Sequence, residues 1–326
     1  MRTVPFSSAF YVEDFAHSKQ EKELQFWRSS MDALCAGKIT WEEFFQGIPI
    51  RVHPARFVTT TEMEYTILHL AVLSNRPDLV ESIVDVSPQL KWKRCNLGWT
   101  PTELTQFLPR EEMRPFFQIS PVTSSFHTEP NVAICDLERF AALSDLPYLS
   151  KPLFESDEIF DDILLQTKKA KAEDEISPEK IWMGIYFDKE LQKGAHPKVS
   201  IRFIDEGVGF GVFAAQKITP CSFVGEYVGV IKERKKKELN GKIHVMRYTV
   251  WEMGRRKFIV DAEKMGNFTR FINHSEEPNL SLQSVYWRGI PRMIFVAIKE
   301  IPEGAQLTFD YGTFFWKECC QTPVIF

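Results

Sequence analysis

The chain has 326 residues, 44% of them hydrophobic and 26% charged, with a formal net charge of −4. That apolar fraction excludes wholesale disorder, and the length allows two or three domains. The charge is split, with 19 Lys and Arg against 28 Asp and Glu over residues 1–180 but 21 against 16 over 181–326, which suggests two functional halves and does not match a strongly basic nucleic-acid binder.

The six cysteines (Cys35, Cys95, Cys135, Cys221, Cys319 and Cys320) show no metal-ligand spacing and read as free thiols in a reducing compartment. No apolar run approaches the ~18 residues of a membrane span. The start, Met1 to Phe6, lacks a long apolar core, so no Sec-type signal peptide is expected.

Residues 18–46 have helical periodicity, with Leu24, Trp27, Met31 and Leu34 on one face. A second short helix should follow Thr40, a plausible N-cap with Glu43 three residues on, as in a capping box. Then come Thr66-Ile67-Leu68-His69-Leu70-Ala71 and, 34 positions on from Thr66, Thr100-Pro101 after Asn96-Leu97-Gly98. This resembles an ankyrin repeat, with its T-x-L-H-x-A opening, its N-x-x-G-x-T-P turn, although here Asn96 stands only two residues before Gly98, and a period of ~33. The second unit departs, with Thr102-Glu103 where Leu-His is expected and its outer helix lost around Pro109. The alternative is a small helical domain that covers the catalytic one, and the two stay open. Residues 1–119 therefore read as a helical, ankyrin-like domain.

Residues 120–180 read as linker and helical segment: a Pro- and Ser-rich stretch at 120–130, a helical turn over 136–143, and a charged helix from Glu158 to Glu175. Pro178 and the aromatic stretch Ile181 to Phe187 mark a change of composition near 180. Beyond 197 the pattern becomes short β runs: Val199–Phe203, Phe223–Val230, Lys257–Asp261 and Met293–Ile298. Lys232 to Leu239 reads as a charged helix. Its Arg234-Lys235-Lys236-Lys237 run is an exposed face, a nucleosomal-DNA contact or a nuclear address.

Four segments in the C-terminal half share one resemblance. They are Gly209-Phe210-Gly211, Glu226-Tyr227-Val228-Gly229, Arg270-Phe271-Ile272-Asn273-His274-Ser275 with Pro278-Asn279, and Leu307-Thr308-Phe309-Asp310-Tyr311-Gly312. In this order, over roughly 197–316, they resemble the motifs of SET-domain protein lysine methyltransferases. The resemblance implies an α+β chain: a β-rich SET fold of small folded-over sheets with a pseudoknot over 181–326, behind the helical domain.

It also implies methyl transfer from S-adenosylmethionine to a protein lysine. Such a reaction needs alignment of nucleophile and methyl, and a lysine kept neutral below its free pKa of ~10.4 by an apolar channel. By the same resemblance Tyr311 is the catalytic tyrosine, and Tyr248 is a second active-site tyrosine or a core residue. Gly209, Phe210, Gly211, Asn273 and His274 hold the cofactor. Tyr227 contacts it or supports the Asn273 segment. Arg270 braces the chain crossing or sits near the cofactor, and Trp316 covers the adenine or anchors the core. Phe309 leaves the lysine channel room for di- or trimethylation.

The chain departs from many SET enzymes by having Glu276 where a zinc-binding Cys would follow N-H-S. No metal is therefore expected, and the Phe314–Trp316 segment would close the channel. This combination resembles SET proteins of intracellular bacteria such as chlamydiae. It implies a protein substrate, with histone tails as first candidate, nucleic acid only as part of chromatin, and no membrane. The ankyrin-like region would bind a protein partner. The protein would be cytoplasmic as made, with secretion into a host cell and its nucleus left open, as are a bacterial target and a non-catalytic adaptor role.

Overall fold

The computed structural model describes residues 20–47, 57–119, 126–140, 146–235, 242–312 and 315–316. It divides into two compact units, Met1–Ser120 and Pro121–Phe326.

The first unit is helical. Helix α1 spans Gln20–Cys35 and α2 Trp41–Gln46. The capping box at Thr40 forms: the Glu43 N–H donates to Thr40 Oγ1 at 3.1 Å, and the Thr40 N–H donates to the Glu43 carboxylate at 2.7 Å. Next come α3 (Ile67–Leu73), α4 (Pro77–Val86) and α5 (Pro101–Phe107), with 3-10 turns at Pro88–Trp92 and Glu111–Phe117. Thr66 and Thr100 cap α3 and α5 in the same manner. Buried His69 ties the two starts together, its Nδ1 2.7 Å from Thr66 Oγ1 and its Nε2 3.0 Å from the Trp99 carbonyl. Burial holds this imidazole down to about 4, against the contrary effect of the Trp99 hydrogen bond.

The second unit has β1 (Val132–Ile134), α6 (Leu137–Phe140), β2 (Leu153–Phe154), α7 (Asp157–Ala172), α8 (Pro178–Tyr186) and α9 (Asp188–Lys193). Strands β3 (Val199–Asp205), β4 (Gly209–Ala214), β5 (Phe223–Glu226), β6 (Val230–Glu233), β7 (Val245–Tyr248), β8 (Phe258–Asp261), β9 (Asn273–His274), β10 (Leu280–Trp287), β11 (Ile290–Ala297) and β12 (Thr308–Phe309) follow. They form three small sheets, ordered β1-β3-β4, β2-β6-β8-β7 and β5-β11-β10-β12-β9.

Three expectations need correction. The stretch 120–180 is expected to be linker and helix; 120–125 lie outside the described residues, and the described remainder also holds strands, β1 pairing in parallel with β3 and β2 with β6. The charged helix α7 is also partly core, burying Ile159, Phe160 and Ile163. Lys232 and Glu233, read as helical, lie in β6 because they pair with Ile259 and Phe258 of β8; residues 236–241 lie outside the described set. The run 223–230 is two strands, broken at Tyr227–Gly229. A Cβ on Gly229 would stand 2.5 Å from the Asp261 carbonyl oxygen, so the chain turns there against β8.

Burial concentrates on the inner strands. Every residue of β8 and β11 is buried, as expected for strands covered on both faces. Within this core Glu226 and Arg292 form a bidentate ion pair, with the Arg292 side chain 0% and the Glu226 side chain 5% exposed.

Candidate active site

The site begins with a capped turn. Asn267 caps a 3-10 turn over Phe268–Phe271, its Oδ1 accepting from the Thr269 N–H at 3.1 Å. The turn is docked on the end of β5, where the Glu226 carbonyl accepts from Asn267 Nδ2 at 2.9 Å and from Thr269 Oγ1 at 3.2 Å. Gly225 permits this approach: a Cβ there would be 2.9 Å from the Phe268 ring. The turn delivers Arg270 and Phe271 and leads straight into β9.

Strand β9 lies beside β12 in parallel, Asn273 opposite Thr308 and His274 opposite Phe309. Asn273 Nδ2 donates to the Phe210 carbonyl of β4 at 3.1 Å. Gly211 makes room, since a Cβ there would be 3.2 Å from Asn273 Nδ2 and 2.6 Å from Ile204 Cδ1. Beyond β12, the Tyr311 N–H donates to His274 Nδ1 at 3.2 Å, and the Tyr311 hydroxyl donates to the Ile272 carbonyl at 3.0 Å. Because His274 Nδ1 accepts, a neutral ring there carries its proton on Nε2. The Tyr311 ring meets Phe309 at 4.8 Å, Phe315 at 4.6 Å and Trp316, nearly parallel, at 6.0 Å between centroids.

These segments enclose a cavity of about 300 Å³. Gly209, Phe210, Arg270, Asn273, His274, Tyr311 and Trp316, all expected at the site, line it. Gly209 has φ +77 and open space where a Cβ would be, a conformation that favours glycine. Arg270 is 7% exposed. Its Nη2 donates to the Glu263 carbonyl at 3.4 Å, while its Nε and Nη1 have no hydrogen-bond partner among the described residues. Burial lowers the Arg270 guanidinium from its ordinary range and pushes the Tyr311 phenol well above its own.

Four expected residues do not line the cavity. Gly211 and Phe309 lie immediately behind it, through the contacts above. Tyr227 is 3% exposed, and its phenol is raised by burial, against the charge of Arg270 and with Tyr311 acting in the same direction as burial. Tyr248 is not brought to the site. Its hydroxyl donates to the Pro291 carbonyl at 2.6 Å inside the core, and burial raises its phenol. The structure adds Ile243 and His244 to the wall, which no motif marks, and Phe271, a motif residue to which the sequence assigns no role. Phe314, Cys319 and Cys320 lie outside the described residues, and among those described no cluster of His, Cys, Asp and Glu could hold a metal ion.

Residues 209–312 match the SET domain family model. The Xenopus laevis histone-lysine N-methyltransferase SUV39H1 is 36% identical over 133 residues, covering 38% of this chain and 32% of that protein. The Xenopus tropicalis enzyme SUV39H2 is 34% identical over 132 residues, again 38% of this chain and 32% of the relative. Among solved structures, KRYPTONITE in complex with mCHG DNA and SAH is 32% identical and covers 35% of this chain and 23% of that one, with a TM-score of 0.30. The chain thus spans about a third of the length of these two relatives, and the homology lies in the SET domain.

Proposed function

We propose, from the SET domain that residues 209–312 form, that the chain is a protein-lysine N-methyltransferase using S-adenosylmethionine. The observation that carries the proposal is that seven residues from three separate stretches, Gly209, Phe210, Arg270, Asn273, His274, Tyr311 and Trp316, line one cavity. The cavity suits that cofactor. It offers aromatic faces for an adenine, an open glycine backbone, and a cationic guanidinium, that of Arg270, in its wall. When bound, the cofactor supplies a methyl group activated by its sulfonium. Gly209, Phe210, Asn273, His274, Arg270 and Trp316 would hold it.

Tyr311 orients the lysine rather than deprotonating it. Its phenol is raised by burial, so it stays protonated at neutral pH and cannot act as a base there. Its proton is engaged by the Ile272 carbonyl at 3.0 Å, which fixes the oxygen and leaves its lone pairs to accept from an amine. Phe309 and Phe315 pack against the Tyr311 ring, and Phe295 packs against Phe309. An apolar channel of this kind favours the neutral, nucleophilic amine. With Phe rather than a hydroxyl-bearing ring at 309, the product is di- or trimethyl-lysine.

The substrate class we propose is histone tails, on the homology of the SET domain. We further propose an ankyrin-like, partner-binding role for the helical unit. It is supported by the paired Thr66 and Thr100 caps and the His69 tie between them. The test is transfer of radiolabelled methyl to core histones and to total cell lysate, with Tyr311→Phe as control. Label lost in the control supports the enzyme. Absence of label everywhere, with no cofactor bound in a parallel titration, would sink the reading.

A further inference from the structure

Helix α8 carries an apolar face that no described residue covers. Trp182, Ile185 and Tyr186 are 61%, 69% and 61% exposed, and their spacing of i, i+3 and i+4 puts them on one side of the helix. No other described helix exposes more than one large apolar side chain. The three present roughly 300–400 Å² of apolar surface, an area at which exposed patches are often functional.

The face is held in place from behind. Ser177 caps α8, its Oγ accepting from the Lys180 N–H at 3.4 Å, and Pro178 begins the helix. On the inner side Gly184 lies against β10, where a Cβ would stand 1.9 Å from the Tyr286 carbonyl oxygen. Phe187 is buried at the end of the helix, between the rings of Tyr186 at 4.8 Å and Phe223 at 5.5 Å. On the outer side the Trp182 and Tyr186 rings stack at 5.1 Å, with 18° between their planes. Both aromatics are thus ordered before any partner arrives, which lowers the entropy cost of docking.

Opposite charges mark the two ends of the face. Glu179, three residues before Trp182, is exposed on the same side. Lys189, beyond the other end, is exposed and lines one cleft with Ile185 and Tyr186. Neither has a salt bridge among the described residues. Glu179 and Lys189 stand equally far along the chain from Gly184, and so do Trp182 and Tyr186. A second α8 laid antiparallel across the first, about a two-fold axis level with Gly184, sets Trp182 against Tyr186 of the partner subunit. The same axis sets Glu179 against Lys189 of the partner subunit, and each pair occurs twice.

We infer that the α8 face is a homodimer interface, an isologous contact between two copies of this chain. With its flanking residues it reaches the low end of specific interfaces, about 1,200 Å² in total, which suits a micromolar dimer. Tyr286, on which α8 sits, is six residues along β10 from Leu280, the residue paired with Phe309. The contact is therefore about 20 Å of strand away from Phe309, and each copy keeps a candidate active site built from its own residues. The inference does not depend on the methyltransferase reading.

The test is sedimentation velocity on the full chain over about 1–100 μM. The wild type should pass from monomer to dimer within that range. Trp182→Ala, an exposed change that leaves the fold intact by circular dichroism, should raise the dimer Kd at least about 30-fold. Glu179→Lys and Lys189→Glu should each raise it about 10-fold, because two attractive pairs become repulsive, and the two together should return it to near the wild-type value. A wild type that stays monomeric overturns the inference, as does a dimer indifferent to Trp182→Ala or a double reversal that adds its two losses. A monomeric wild type that binds core histones, and loses them in Trp182→Ala, would give the face to a basic partner and overturn the inference as well.

Discussion

Tyr311→Phe separates alignment from acid–base chemistry. The substitution removes one hydroxyl, whose proton goes to the Ile272 carbonyl at 3.0 Å, and leaves the ring contacts with Phe309, Phe315 and Trp316 in place. Loss of one neutral hydrogen bond should cost about 1 kcal/mol of stability. Cofactor affinity should hold, because the cavity keeps its shape. If the hydroxyl aligns the amine, kcat should fall at least about 100-fold, or about 2.7 kcal/mol of activation free energy. The pH profile carries the sharper test. Burial raises the phenol above its ordinary value, so between pH 6 and 9 the wild type has no titrating Tyr311. Single-turnover methyl transfer over that range, on wild type and variant, should give profiles of the same shape and different height. A rising limb in the wild type that disappears in Tyr311→Phe would show a phenolate acting as base and refute the reasoning.

Phe309 is 2% exposed and lies between Phe295 at 4.9 Å and Tyr311 at 4.8 Å, so Phe309→Tyr should narrow the channel and shift products toward monomethyl-lysine. Mass spectrometry of the product reads this, and an unchanged spectrum removes the channel argument. Glu226→Ala leaves Arg292 buried without its carboxylate and should cost about 3–5 kcal/mol, while Glu226→Leu with Arg292→Met should recover most of it; equal losses in urea unfolding would contradict this. His69 is held down to about 4 when folded against ~6.5 free. Its stabilisation is present above ~6.5 and is lost as pH falls toward 4, on the order of 3 kcal/mol. Hydrogen exchange in the helical unit should accelerate over that window, and less so in His69→Gln.

Local signals were legible where local physics decides. The Thr40 cap and the start of α3 depend on residues three positions apart, and the motif glycines sit where close approach or positive φ demands them. What stayed hidden is non-local. Strands β1 and β2 are two or three residues long and exist through pairing with β3 and β6, which no periodicity can announce. In β10, Ser and Gln scatter the apolar residues over Leu280–Trp287. Tyr248 reads from sequence as either an active-site tyrosine or a core residue, and the register decides for the core by pairing it with Phe258 and Val245 with Asp261. The end of β7 near Glu263 and the Arg270 turn is therefore its start, which puts His244 at the cavity and Tyr248 in the core.

The two most specific motifs are linked by the same logic. Strands β9 and β12 are two residues each, too short to hold a chain crossing by backbone pairing alone. Side chains and isolated bonds supply the rest. Asn279 Nδ2 donates to the Gln306 carbonyl at 2.7 Å, its Oδ1 accepts from the Thr308 N–H at 2.9 Å, and its own N–H donates to the Thr308 carbonyl at 3.2 Å. The Ser275 N–H donates to the Phe309 carbonyl at 3.2 Å, and the Leu307 N–H to the Val212 carbonyl at 2.7 Å. The segment 306–309 is thus tied to β4 on one side and to 273–279 on the other, and Tyr311 emerges just beyond it. The Asn279 side chain satisfies two backbone groups of the crossing strand, a carbonyl and an N–H, and has no apolar substitute. Residues that brace the crossing are therefore inseparable in sequence from those that line the cavity, and a motif of ten positions carries both.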